Sequence, residues 1–509
     1  MTFFESLLVL FAMAILLLQV ARRSRVPYPS MLAAAGVVVA LIPGTPNIPI
    51  APATALALFI APVLVDAAYD FPVVAARKLI APLTVYAVGA VLLTAGVVAV
   101  LGHELIGLPV AAALTLGAIV APPDAAAATA VLTGLPVSRR VDAVLKGESL
   151  FNDATALLLF SAGVTITVGG LSTGAVAGLA LAVPGGILFG IGYGLVVVRL
   201  QRFVDGTVGG TLAQFVHAFA TWIIAEHLHL SAVLATVASA MTIAASATRR
   251  DTPRMRVHSF AVWTTVVFLL NVLAFLLMGM QARTIFGSME RDELIRAGWF
   301  AGVVVGAVIA VRLVVAFLYR AFVTWRARRR GEQPLLSPAE TLLIGWTGMR
   351  GLLTMATAFA LPRDFPERDL LVLTAFAVVL ATVVLQGATL VPMIHWFGLG
   401  REAEAEHELS DARRELAKAA LARLGDEDGD EAGALRAVYR DVLAAQHDHA
   451  AIDRRHGLAL AAVLAQRREL DRLRDRHAIS PEVYLKLQED LDWKQLAVVA
   501  DEDKRIEEA

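Results

Sequence analysis

At 509 residues, 57% of them hydrophobic and only 17% charged, the chain falls well short of the roughly one-quarter charged content of an average soluble protein, which excludes a single soluble domain. Its net charge of −1 conceals an uneven distribution: residues 1–400 hold 19 acidic and 26 basic side chains, and the last 109 hold 26 acidic and 18 basic. The first region has too little charge to clothe a soluble surface and the second too much to lie in lipid, so the pattern predicts a membrane domain over 1–400 and a helical cytoplasmic tail over 401–509. Cysteine is absent, which removes disulfides, thiolate metal sites and cysteine nucleophiles.

A helix needs about 20 apolar residues to cross a ~30 Å hydrocarbon layer. Apolar runs of that kind fall near 3–20, 28–45, 51–67, 78–102, 109–134, 142–169, 173–199, 208–228, 231–247, 258–283, 293–325, 337–361 and 368–398, predicting an all-α polytopic membrane protein of about 13 transmembrane helices. The first run follows Glu5, and its arginines (Arg22, Arg23, Arg25) come after it. It therefore reads as a transmembrane helix with its amino end outside rather than as a cleaved signal. Ser337-Pro338-Ala339-Glu340 supplies an N-cap, a first-turn proline and a capping-box glutamate for the twelfth span. Gly186, Gly190 and Gly194 in the seventh span, and Gly298, Gly302 and Gly306 in the eleventh, have the spacing for close helix packing.

Cytoplasmic loops carry the excess of Lys and Arg. Alternate connections hold Arg22/Arg23/Arg25, Arg77/Lys78, Arg139/Arg140, Arg199/Arg202, Arg249/Arg250/Arg254/Arg256 and Arg326/Arg328/Arg329/Arg330, and the intervening ones are nearly bare. The alternation fits thirteen spans with the N-terminus outside and the C-terminus in the cytoplasm.

Ionisable side chains at mid-membrane depth are costly, so each marks a functional position. Asp66, Asp124, Glu148, Asp153 and Arg350 qualify. Lys146, Glu226 and Arg283 lie near span ends and read as interfacial, and Arg312 sits in a span long enough for its guanidinium to snorkel or pair near an end. At 100° per residue, Ser149 and Asp153 share one stripe of the sixth span while Glu148 and Asn152 share the neighbouring one. A carboxylate in the bilayer takes up a proton unless a cation or a basic partner stabilises its charge. Two acids on separate stripes can then have two fates, one paired permanently and one choosing between proton and metal ion. Arg350 is the natural permanent partner, for either Glu148 or Asp153.

Two spans are interrupted where charges sit. Ala121-Pro122-Pro123-Asp124 removes two backbone donors from the fifth, and Gly345-Trp346-Thr347-Gly348-Met349-Arg350-Gly351 places three glycines in the twelfth. Broken helices at matching places in two halves of a transporter point to a midplane site. These two are the middle members of spans four to six and eleven to thirteen, triplets that begin on opposite membrane sides, as an inverted repeat with two broken crossing helices requires. A nucleotide-binding loop is missing from the sequence, so energy is expected from an ion gradient.

The segments FIAPVLVDAAYD (59–70), GAIVAPPDAAAATAVL (117–132), GESLFNDATALLLF (147–160) and GMRGLLTMATAFALP (348–362), in that order, resemble the signatures of the electroneutral cation:proton antiporters of the NhaP and NHE type. The resemblance implies thirteen helices, a six-helix core moving against a dimerisation domain in an elevator-like manner, and exchange of Na+, or K+ or Li+, for H+ at 1:1, serving pH and cation homeostasis. It implies that Asp153 alternately binds Na+ and H+, that Asn152 marks the electroneutral subgroup, that Glu148 forms a structural ion pair with Arg350, and that Asp124, Ser149 and Asp66 line or shape the cation site, with Na+ held at Asp153 and Asp124. Two departures bear on ion selectivity: Pro123 stands where many relatives have threonine, and Asp66 where glutamate is frequent. The partners implied are the transported ions, the lipid bilayer of the cell membrane and a second copy in a homodimer; nucleic acid, cofactor and enzymatic activity are not expected.

Residues 401–509 read as helices broken near 425–430 and restarted at Ser480-Pro481-Glu482, with Val463, Leu470 and Leu473 as a short packing seam. Five of the eleven histidines (His407, His447, His449, His456, His477) lie in this tail, where solvated helix surface is the simplest account and a pH-sensing role the sharper one.

Overall fold

The computed structural model describes residues 3–24, 28–40, 54, 56–69, 71, 80–124, 128, 139–170, 172–204, 207–247, 253–280, 290–331, 337–398, 402–425, 429–444, 449–476 and 478–498. Among them there is helix and no strand. The chain divides into two compact units, Met1–Gly400 and Arg401–Glu508.

The first unit comprises α1 (Phe3–Ser24), α2 (Tyr28–Ala40), α3 (Leu56–Tyr69), α4 (Ile80–Ile106), α5 (Val110–Val120), α6 (Arg139–Gly169), α7 (Thr173–Gln201), α8 (Val208–His227), α9 (Ala232–Ala247), α10 (Pro253–Met280), α11 (Arg291–Arg330), α12 (Pro338–Trp346), α13 (Leu352–Phe359) and α14 (Arg368–Phe397). Helix is present within each of the thirteen expected intervals, and six described helices are individually long and apolar enough to cross a bilayer. Residues 41–53, Arg283, and the second half of the fifth span apart from Ala128 lie outside the described residues. Both interrupted spans are interrupted as expected: α5 stops at Val120 before the non-helical residues 121–124, and the twelfth span is split into α12 and α13 by residues 347–351. The capping box at Ser337 is formed, with Glu340 N–H donating to Ser337 Oγ (3.1 Å) and Ser337 N–H to Glu340 Oε2 (2.8 Å).

Two hydrophobic bodies flank α6. One is built from α1, α2, α4, α5 and α10 to α14 and takes Val141, Val144, Leu145 and Phe160 of α6. The other joins α3, α8 and α9 with Leu83 of α4, Trp263 of α10 and Leu353 of α13, and takes Leu150 and Ala154 of α6. Residues 148–153 of α6 lie where its buried contacts pass from the first body, at Leu145, to the second, at Leu150 and Ala154.

Close backbone approach sets α7 against α9: a Cβ on Gly186, Gly190 or Gly194 would run into the carbonyls of Ser231, Ala235 and Ser239. The matching expectation for α11 fails. A Cβ at Gly298, Gly302 or Gly306 would meet nothing within 4 Å, because α11 buries another face, carrying Phe300, Val304, Val308 and Val315.

Among the described residues the second unit has four helices, α15 (Glu402–Leu424), α16 (Asp430–Ala444), α17 (His449–Asp475) and α18 (Pro481–Val498). α17 and α18 pack through Val463, Leu470 and Leu491, and Ser480 caps α18 as its sequence suggested (Val483 N–H to Ser480 Oγ, 3.3 Å). His447 and His477 lie outside the described residues.

Candidate functional site

The two breaks are stitched to each other. Asp124 N–H donates to the Met349 carbonyl (2.6 Å), and the Asp124 carboxylate accepts from Leu352 N–H (3.1 Å), the first residue of α13. A negative group at a helix N-terminus meets both unpaired amides and the positive end of the helix dipole. The space for that carboxylate exists because residue 351 is glycine: a Cβ there would overlap Asp124.

Arg350 serves the opposite ends. Its Nε donates to Val120 O (3.1 Å) and its Nη2 to Ala121 O (3.4 Å), the carbonyls at which α5 stops, while Nη1 donates to Gly348 O, just beyond α12. Helix C-termini leave carbonyls without donors and carry partial negative charge, which a planar guanidinium answers at several points at once. Its own backbone N–H donates to Thr382 Oγ1 of α14 (3.0 Å). Asn152 of α6 joins the crossing by donating Nδ2–H to Pro123 O (3.2 Å), and its buried Oδ1 has no hydrogen-bond partner among the described residues.

The ion pair of Glu148 corrects the expectation. Glu148 is held bidentately by Arg312 of α11, Nη1 to Oε1 at 2.5 Å and Nη2 to Oε2 at 3.0 Å, with both side chains almost fully buried. Arg350, the partner read from the sequence, is engaged with carbonyls instead. Arg312 does not snorkel because it lies near the midpoint of the 40-residue α11, too far from either end to reach water. Gly348 makes room for both guanidiniums, since a Cβ there would meet Arg312 Cδ and Nε and Arg350 Nη1.

The two stripes of α6 differ in burial. Glu148 and Asn152 are buried, whereas Ser149 and Asp153 are half-buried. The field of the Asp124 carboxylate reaches Asp153, the residue after Asn152 on α6. Asp66 is half-buried on α3, which packs against α6 through the core that contains Leu64, Val65, Leu150 and Ala154. Thus Asp124, Asn152 and Arg350 are each tied by hydrogen bonds to the two interrupted segments, through Met349 and Leu352, Pro123, and Val120, Ala121 and Gly348 respectively, and Asp153 follows Asn152 on α6. Lys146 pairs with Asp142 at 3.0 Å on a half-exposed face, and Glu226 is exposed, in keeping with interfacial positions. Sequence reasoning missed Arg312 as the partner of Glu148 and Thr382 as the acceptor for Arg350. The available signal for the first was its central position in an overlong span, and for the second a polar residue at mid-span in an apolar helix.

Residues 8–396 match the family described as sodium/hydrogen exchanger, transmembrane. The chain is 30% identical over 412 residues to an uncharacterized Na+/H+ exchanger of Mycobacterium tuberculosis, covering 78% of this chain and 75% of that one. It is 31% identical over 307 residues to the Na+/H+ antiporter NhaH of Halobacillus aidingensis (58% and 71%) and 27% identical over 418 residues to a sodium, potassium, lithium and rubidium/H+ antiporter of Bacillus pumilus (78% and 62%). The fold is similar to the solved structure of the sodium proton antiporter MjNhaP1 from Methanocaldococcus jannaschii, with a TM-score of 0.60 at 16% identity, over 76% of this chain and all of that one.

Proposed function

The chain belongs to the sodium/hydrogen exchanger family, and we propose that it is a secondary antiporter exchanging Na+, or K+ or Li+, for H+ at 1:1, with Asp153 as the carboxylate that carries either ion. The observation supporting this most directly is the charge arrangement around the crossing. Glu148 is neutralised by Arg312, and Asp124 and Arg350 sit at opposite helix ends of the crossing. Counted over these five residues, the formal charge is −1 with Asp153 ionised and zero when it holds either a proton or a monovalent cation. Loading with either ion leaves the same charge to move, which is the condition for electroneutral exchange. Competition of the two ions for one carboxylate couples their gradients.

Asp124, Ser149 and the unpartnered Oδ1 of Asn152 supply oxygen ligands near Asp153, and Asp66 of α3 shapes the site from the facing body. Movement along the seam between the two hydrophobic bodies would expose α6 alternately to the two sides. The protein acts in the cell membrane as a homodimer, with its N-terminus outside and its C-terminus in the cytoplasm. The alternation of arginine-rich and bare connections supports that orientation. Because the chain lacks cysteine, single-cysteine accessibility labelling can read the topology directly.

In everted vesicles, Asp153→Asn should abolish cation-induced dequenching of a pH dye while the protein inserts normally; retained exchange would remove Asp153 from this role. Adding Na+, K+ and Li+ in turn to the wild type orders the cations. Accumulation driven by membrane potential alone in proteoliposomes would contradict electroneutrality.

A further inference from the structure

Tyr86 is not used by the mechanism above, yet it is one of the largest fully buried side chains in the molecule, and its hydroxyl has no hydrogen-bond partner among the described residues. A phenol in that situation is worse than phenylalanine unless its oxygen is used. It stands on a π-helical turn of α4, Thr84–Ala90, which packs against both α6 and α11, the helices that supply Glu148 and Arg312. Such single π turns recur at functional positions because they rotate one side chain out of the helical register. The ring meets Tyr319 of α11 edge-on at 5.5 Å between centroids. The charged groups whose fields reach Tyr86 are Glu148 and Arg312. Arg350 lies within the field of the same pair.

The unused hydrogen-bonding capacity is complementary. Arg312 gives its two Nη groups to Glu148, and its Nε–H is buried without a partner among the described residues. A phenol oxygen is the acceptor that a leftover guanidinium N–H requires, and its own hydrogen can then go to the carboxylate. An open surface groove of about 450 Å3, bordered by Thr84, Val88 and Gly89 of the π turn and by Val315, Leu318 and Tyr319 of α11, runs beside them.

We propose that Tyr86 is a positioning residue of the exchange site, whose hydroxyl closes onto Arg312 Nε–H in a state of the transport cycle other than the one described here. A contact made in one state only shifts the balance between states. The ring contact of Tyr86 is with Tyr319 of α11, so its effect is expected on turnover rather than on cation binding. This rests on the exchange reading above.

The test uses the full chain in proteoliposomes, with Na+-driven proton flux measured per folded protein for wild type, Tyr86→Phe, Arg312→Lys and the double variant. Tyr86→Phe should lower kcat by about three- to tenfold, the worth of one hydrogen bond, and leave the Na+ KM within about twofold. Lysine has no Nε–H fork, so Tyr86→Phe should have no further effect in the Arg312→Lys background. An unchanged kcat in Tyr86→Phe, or an equal fold-loss in both backgrounds, overturns the proposal while leaving exchange itself standing. A wild type that exchanges none of Na+, K+ and Li+ for H+ overturns both readings, and where K+ or Li+ is the cation exchanged the same measurements are made with it. Should Arg312→Lys not fold, the split decides alone: kcat lowered at constant KM supports the proposal, and a change in KM alone or in both sinks it.

Discussion

Arg312 and Arg350 both border the space that a side chain at Gly348 would fill, yet one faces a carboxylate and the other a set of carbonyls. Arg312 with Glu148 is a closed neutral unit tying α6 to α11. Arg350 remains a cation, spread over the loose ends of two broken helices, with the Asp124 carboxylate as its counterpart at the start of α13. The first keeps an acid permanently out of the exchange chemistry; the second keeps the crossing intact so that the chemistry has a place to happen. Buried charge is affordable in each case for a different reason, pairing in one and helix-end dipoles in the other.

The largest effect should follow from opening the neutral unit. Arg312→Ala leaves the Glu148 carboxylate buried alone, a change that costs about 3–5 kcal/mol. Thermal denaturation of the purified protein should show it as a strong loss of stability, and Glu148→Leu with Arg312→Met together should be closer to wild type than either single change, because no lone charge remains. Equal stability of Arg312→Ala and wild type would mean that the pair does not form. Next in size is Arg350→Lys, which keeps the charge but cannot answer Val120, Ala121 and Gly348 together. It should cost about 2 kcal/mol and slow exchange, since unmet buried carbonyls lose a charge-assisted bond each. If lysine were fully tolerated, the carbonyl contacts would be incidental and the comparison between the two arginines would collapse.

Which arginine does which task was not legible in the sequence, and the reason is geometric. Pro122-Pro123 and the glycines 345, 348 and 351 announced both breaks, because missing donors and missing side chains act locally and leave a mark in the chain itself. The separation of Glu148 and Asn152 from Ser149 and Asp153 was equally readable, since helical periodicity alone places them on neighbouring stripes. The partner of Glu148 depends on how α11 lies against α6, 164 positions away in sequence, and on carbonyls that exist as acceptors only after α5 has stopped. Span length misled as well: the long span read at 293–325 suggested that Arg312 could reach an interface, whereas its central position in the 40-residue α11 prevents that.

Glycine spacing gave the same signal in α7 and α11 but different outcomes, which yields the smallest and sharpest test. Replacing a helical glycine by alanine gains roughly 1 kcal/mol of helix propensity where there is space. At Gly190 the new methyl would strike the Ala235 carbonyl and the Ala238 side chain, so Gly190→Ala should lose more to overpacking, about 1–3 kcal/mol, than it gains. At Gly302 nothing among the described residues opposes the methyl, so Gly302→Ala should be neutral or slightly stabilising in a monodisperse monomer preparation. Comparing the two variants by thermal denaturation at matched protein and detergent concentrations separates the cases. Loss of stability in Gly302→Ala that grows with protein concentration would place a second copy against that face of α11, and would turn an open stripe of the single chain into part of the homodimer contact.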